Sequence, residues 1–169
     1  MCVAASSALP LLMAQAQSAS GGAATFQALF IFNFTKYITY PPSRQNGDFI
    51  IGILGKPDLI PPLEKTAAIK KVNGVQTIKV YNYEDIPNPT DCHIIFVSST
   101  HNKRLPRIVE MARNKPILVV TEGQGMYSSG SGISILSSGD KKFEVNRAYL
   151  EANGMKVSSE LLKLAAIVP

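Results

Sequence analysis

Residues able to act as nucleophiles, bases or metal ligands are few in this sequence, and they come closest together at Asp91-Cys92-His93. A cysteine next to a histidine suggests a thiolate–imidazole pair. The run from His93 to Val97 (HIIFV) is apolar and reads as a strand. Neighbours on an extended chain point to opposite faces, which keeps Cys92 and His93 apart. The only other histidine is His101, and two histidines with one cysteine of the mature chain are too few for a structural zinc site. Cys92 is expected to be a packed, inert thiol.

The remaining motifs weaken in the same way. Gly52-Ile53-Leu54-Gly55-Lys56-Pro57 has two residues between its glycines where a phosphate loop has four, and Pro57 stands where a metal-holding hydroxyl belongs. No G-x-G-x-x-G follows the first strand, and the acidic cluster of a phospho-receiver is missing. Ser128-Ser129-Gly130-Ser131-Gly132 lacks the strand-to-helix setting of a hydrolase elbow and reads as a tight loop. Glu122, at the end of an apolar run, is a candidate ligand contact, although an acid at a strand end is more often simply solvated. The sequence therefore predicts no catalytic residue, no cofactor and no metal.

The elements that would position these residues follow from periodicity. Phe26 to Ile38 predicts a helix, with Phe26, Leu29, Phe30, Asn33, Phe34, Tyr37 and Ile38 on a broad core stripe. Phe32 falls on the other side near Ala28 and Thr35, with Ile31 at the margin. These four are either a second core contact or an intermolecular patch. Pro41-Pro42 stops the helix. Phe49–Leu54 predicts a strand covered on both faces, Pro61 to Lys71 a helix, Gln76–Tyr81 a strand, His93–Val97 a third and Ile117–Thr121 a fourth. Ile133–Leu136 and Lys142–Val145 flank Gly139-Asp140, which suits a two-residue type II′ hairpin turn. Asn146 and Ser158 can cap two closing helices, the last burying Leu161, Leu164, Ala165 and Val168. The order predicts an α/β fold: an open, mostly parallel sheet with helices on both faces and an antiparallel edge hairpin, in the Rossmann-like or flavodoxin-like three-layer manner.

At 169 residues the chain fits one domain. Val3 to Met13 is apolar and ends in Ala14-Gln15-Ala16, a signal-peptidase pattern, although no Lys or Arg precedes it. The expected organisation is a cleaved signal peptide over 1–16, a flexible leader over 17–24 and one domain over 25–169, exported to the periplasm as a soluble protein. Removal of Cys2 with the signal leaves Cys92 without an intramolecular disulfide partner. The net charge of +5 is concentrated in Lys103, Arg104, Arg107, Arg113 and Lys115, opposed by Glu110 alone. Spacings of three and four place Lys103, Arg104 and Arg107 on one helix face. Such a face is either a solvated surface or a docking site for an acidic partner, and no nucleic-acid motif accompanies it.

Five stretches in order resemble the YfiR-like periplasmic regulators: Leu29 to Ile38 (LFIFNFTKYI), Phe49 to Gly55 (FIIGILG), Cys92 to Val97 (CHIIFV), Lys142 to Asn146 (KFEVN) and Val157 to Ala165 (VSSELLKLA). Tyr40-Pro41 stands where many members have Trp-Pro, and the disulfide cysteines of some members are missing. The resemblance implies a non-enzymatic periplasmic protein that forms a homodimer. It would bind, and restrain, the periplasmic sensor domain of an inner-membrane signalling protein, a diguanylate cyclase with c-di-GMP as its output or else a sensor kinase. It also implies a lipoprotein that sequesters the regulator. The candidate interface residues are Ala28, Ile31, Phe32, Thr35, Lys103, Arg104 and Arg107. The alternative is a periplasmic module that binds a small ligand in the crevice at the strand ends.

Overall fold

The structure, a computed structural model, describes residues 11–86, 88 and 91–168, with side-chain environments from residue 21 onward. Residues 1–10 of the expected signal segment lie outside the described residues. The first helix, α1 (Leu11–Tyr37), runs on into the two-residue strand β1 (Ile38–Thr39). It includes the backbone of residues 17–24, expected above as a leader. Then follow β2 (Phe49–Leu54), α2 (Ile60–Ala67), β3 (Lys71–Val72), β4 (Gln76–Tyr83), β5 (Ile94–Val97), α3 (Leu105–Ala112), β6 (Leu118–Glu122), β7 (Ile133–Ile135), β8 (Phe143–Asn146), α4 (Arg147–Ala152), β9 (Lys156–Val157), α5 (Ser159–Leu164) and β10 (Ala165–Val168).

The main sheet has eight strands in the order β10-β8-β7-β6-β5-β2-β4-β3, and a small ribbon pairs β1 with β9. Strands β4, β2, β5, β6 and β7 are parallel neighbours, the flavodoxin-like 2-1-3-4-5 order, which reverses direction between β2 and β5. The α/β fold class predicted from the sequence is the one observed. Alternate residues of the central strands serve opposite layers. Ile94, Phe96, Leu118 and Val120 face a core completed by α1, α2 and Leu161 of α5, whereas Ile95, Val97 and Val119 face α3 through Leu105, Ile108 and Ala112. Such strands, buried on both faces, explain the unbroken apolar runs in the sequence.

Several boundaries and faces differ from the expectations. The largest difference is in α1, where the stripe is rotated: Phe34 and Ile38 are buried as expected, but Phe26 and Leu29 are 66% and 51% exposed, whereas Ala28, Ile31 and Thr35 are 3%, 0% and 3% exposed. Small Ala24 and Ala28 let the helix lie close on the sheet, with Phe34 edge-on to Phe143 at 5.5 Å. The Thr35 hydroxyl is satisfied inside the helix by donating to the Phe32 carbonyl at 2.7 Å. Helix α2 ends at Ala67, short of Lys71, because Lys71-Val72 pairs with β4. Antiparallel pairing of β7 with β8 is present, but Leu136 N–H still donates to Lys142 O, so Gly139 (φ +91°) sits in a loop longer than a two-residue turn. Nor is the hairpin the sheet edge. The closing helix stops at Leu164, and Ala165–Val168 adds a parallel strand outside β8, leaving Leu164 exposed. Asn146 and Ser158 do cap α4 and α5, accepting from the amides of Tyr149 and Leu161.

Candidate functional site

In sheets of this order, ligands bind at the carboxyl edge where the strand order reverses. Here that edge is formed by the residues following β2, β5, β6 and β7. The chain leaves β2 through Gly55 (φ +78°), and a Cβ there would lie 2.0 Å from His101 Nδ1 and 2.5 Å from Ser98 Oγ, so only glycine fits. The next residue, Lys56, forms an ion pair with Glu122 at the end of β6, through Nζ and Oε1. Glu122 Oε1 also accepts from Gln27 Nε2 of α1 at 2.8 Å, and Oε2 accepts from the Ser99 amide at 3.0 Å. Burial pushes the Glu122 carboxyl up, but the hydrogen bonds from Lys56, Ser99 and Gln27 outweigh it and hold the pKa below its ordinary value. Gln27, Lys56, Ser99, Glu122, Ile135 and Ser137 line a cavity of about 300 Å³. Beside it, Ser98 and Thr100 hydroxyls both reach His101 Nδ1, at 3.2 and 2.9 Å. This is a hydroxyl–imidazole contact of the kind that activates nucleophiles, but Ser98 is buried beneath Gly55, out of a substrate's reach.

The opposite, amino edge holds the Asp91-Cys92-His93 triplet. His93 stacks on Phe49 at 4.4 Å between ring centroids and meets Tyr40 edge-on at 5.6 Å. Its Nδ1 accepts from the Ile50 amide at 3.1 Å, which leaves Nε2–H to donate to the Arg44 carbonyl at 3.0 Å. Burial, followed by the nearby Arg44 charge, lowers its pKa to about 4. The Tyr40 hydroxyl donates to the His93 carbonyl at 2.9 Å, which gives this buried ring a polar anchor. Cys92 is buried, 3.9 Å from the Tyr83 hydroxyl, and burial pushes its thiol up. A neutral histidine with both nitrogens occupied and a thiol held protonated are structural groups, not a nucleophile–base pair.

The structure separates the seven candidate interface residues. Ala28, Ile31 and Thr35 are interior, and Phe32 is half-buried against the same core, so the expected patch on α1 is not a surface of this molecule. Of the basic trio, Lys103 lies with Arg104 in the 3-10 turn before α3 and Arg107 in the first turn of α3, and Lys103 and Arg107 are exposed. Arg104 is drawn aside to Asp85 at 2.8 Å and the Glu84 carbonyl at 3.0 Å. Sequence reasoning noticed Glu122 but missed Gln27 and Lys56 as its partners. The available signal was position for Lys56 alone, the first polar residue past β2; Gln27 is one of several polar residues on α1.

Among the described residues no helix is long and apolar enough to cross a membrane. A family model described as YfiR/HmsC-like matches residues 24–166. No curated protein matches the chain significantly. Among solved structures, the chain is similar to the ABC domain in complex with L-Trp from Streptococcus pneumonia, at 13% identity and a TM-score of 0.49, over 72% of this chain and 55% of that one. The chain thus spans little more than half the length of that structure.

Proposed function

Because this chain belongs to the YfiR/HmsC-like family, a family of periplasmic regulatory proteins, we propose that it binds and restrains the periplasmic domain of an inner-membrane signalling protein. The receptor is a diguanylate cyclase, with a sensor kinase as the related case, and the regulator acts as a homodimer that a lipoprotein can sequester. The observation that carries this reading is the extent of the family match, residues 24–166, which takes in every strand of the described sheet except the last two residues of β10. The engaged state of the reactive side chains supports a binding role over a catalytic one: His93 has both nitrogens bonded, Cys92 is buried and Glu122 is tied to three donors. Exposed Lys103 and Arg107 supply a basic surface for an acidic receptor face. Deleting the gene should raise cellular c-di-GMP, and restoring it should lower c-di-GMP again. Unchanged c-di-GMP together with unchanged sensor-kinase output would overturn the proposal.

The cavity at the carboxyl edge favours a second reading, in which the protein also binds a small periplasmic ligand. The two are compatible, since a ligand that prefers one conformation shifts the population available to the receptor.

A further inference from the structure

We propose that the crevice beside the Lys56–Glu122 pair takes a small neutral molecule with adjacent hydroxyl groups, a polyol or monosaccharide; this rests on the small-ligand reading above. The charges lining the crevice cancel, because Lys56 is paired with Glu122. An anion or a cation would have to compete with a partner already held in place by the fold. What the crevice leaves over is hydrogen-bonding capacity of both kinds. Gln27 Nε2 is committed to Glu122, and Gln27 Oε1 is buried with no partner among the described residues, so it calls for a donor. An ammonium has three N–H groups, and among the described residues that of Lys56 is bonded only to Glu122, so its remaining donors call for an acceptor. Exposed Ser99 and Ser137 complete the lining. A carboxylate, which only accepts, leaves Gln27 Oε1 unsatisfied. An ammonium, which only donates, repels Lys56. A hydroxyl donates and accepts at once and can serve both groups, and two on neighbouring carbons can reach the serines as well. Ile135 gives an apolar wall for the C–H face of such a ligand, and about 300 Å³ is room for a ring of six atoms with its substituents.

The test is a titration of the full-length exported protein, isotopically labelled, with four probes: glycerol, glucose, acetate and methylammonium. The signals followed are the Gln27 side-chain amide and the Ser99 backbone amide. Glycerol or glucose should shift both signals saturably at concentrations on the order of millimolar, and the two ions should not. Followed at the Ser99 amide, Gln27→Leu and, at exposed Ser137, Ser137→Ala should each weaken binding about three- to tenfold, the effect of one lost hydrogen bond. Saturable shifts with an ion and none with the hydroxylated probes would overturn the ligand class while leaving the small-ligand reading standing. No saturable shift with any probe would overturn both, since water alone would then fill the crevice. Hydroxylated probes that bind with unchanged affinity to both variants would also overturn the assignment.

Discussion

At the residue scale His93 links sequence, packing and solution behaviour most directly. In an unfolded chain a histidine takes up its proton near pH 6.5, whereas folded His93 does so only at about 4. Its folded pKa is depressed, so between these values the unfolded state binds more protons. The stabilising effect of keeping it neutral is therefore complete above about pH 6.5, is lost as pH falls from there towards 4, and changes no further below that. Urea midpoints measured from pH 7 to 4 should fall more steeply for the native protein than for His93→Gln, and parallel curves would show that the ring is not the titrating group. Gly55 makes a second residue-scale prediction. Gly55→Ala forces a side chain into a left-handed backbone and against His101, and should destabilise the fold by about 1–3 kcal/mol or more in a denaturation experiment. Separation of Cys92 from His93 was legible in the sequence because strand alternation is local. The Lys56–Glu122 pair was not: its partners are 66 positions apart, and only the sheet order brings them together.

At the scale of elements, α1 shows where periodicity fails. The helix is apolar almost all round between Phe26 and Ile38, so a stripe drawn through the largest side chains and one drawn through Ala24, Ala28, Ile31 and Phe34 fit the sequence about equally well. Close approach to the sheet decides in favour of the second, since small residues let the helix axis come nearer and bury more backbone. Ile31→Ala should therefore cost about 2–5 kcal/mol of stability, whereas Phe26→Ala, at an exposed site, should change it by about 0.5 kcal/mol or less. The reverse ranking in thermal or urea unfolding would contradict the packing described. Strands β2, β5 and β6 were legible because burial on both faces leaves runs of branched apolar residues. Strand β10 was not: its alanines and short length suit a helix end equally well, and its strand state depends on the free edge of β8, which no local signal records.

At the scale of the whole molecule, the parallel sheet and its layers followed from the alternation of strand and helix patterns, and family membership was legible from five ordered stretches. The regulatory role has no comparable local signature, because a docking surface is made of ordinary exposed residues. The basic surface at the start of α3 can be tested by charge reversal. Lys103→Glu with Arg107→Glu should weaken receptor association most at low salt and little at high salt, and an effect independent of ionic strength would mean that the two side chains are only solvated. The most direct measurement of the central claim is photocrosslinking in intact cells from position 103, with Arg107 left in place, followed by identification of the captured protein. The account predicts an inner-membrane signalling protein joined through its periplasmic domain, with capture reduced when Arg107 is reversed to Glu. Capture of soluble periplasmic proteins alone, with no membrane receptor at this position or at exposed Phe26, would contradict it.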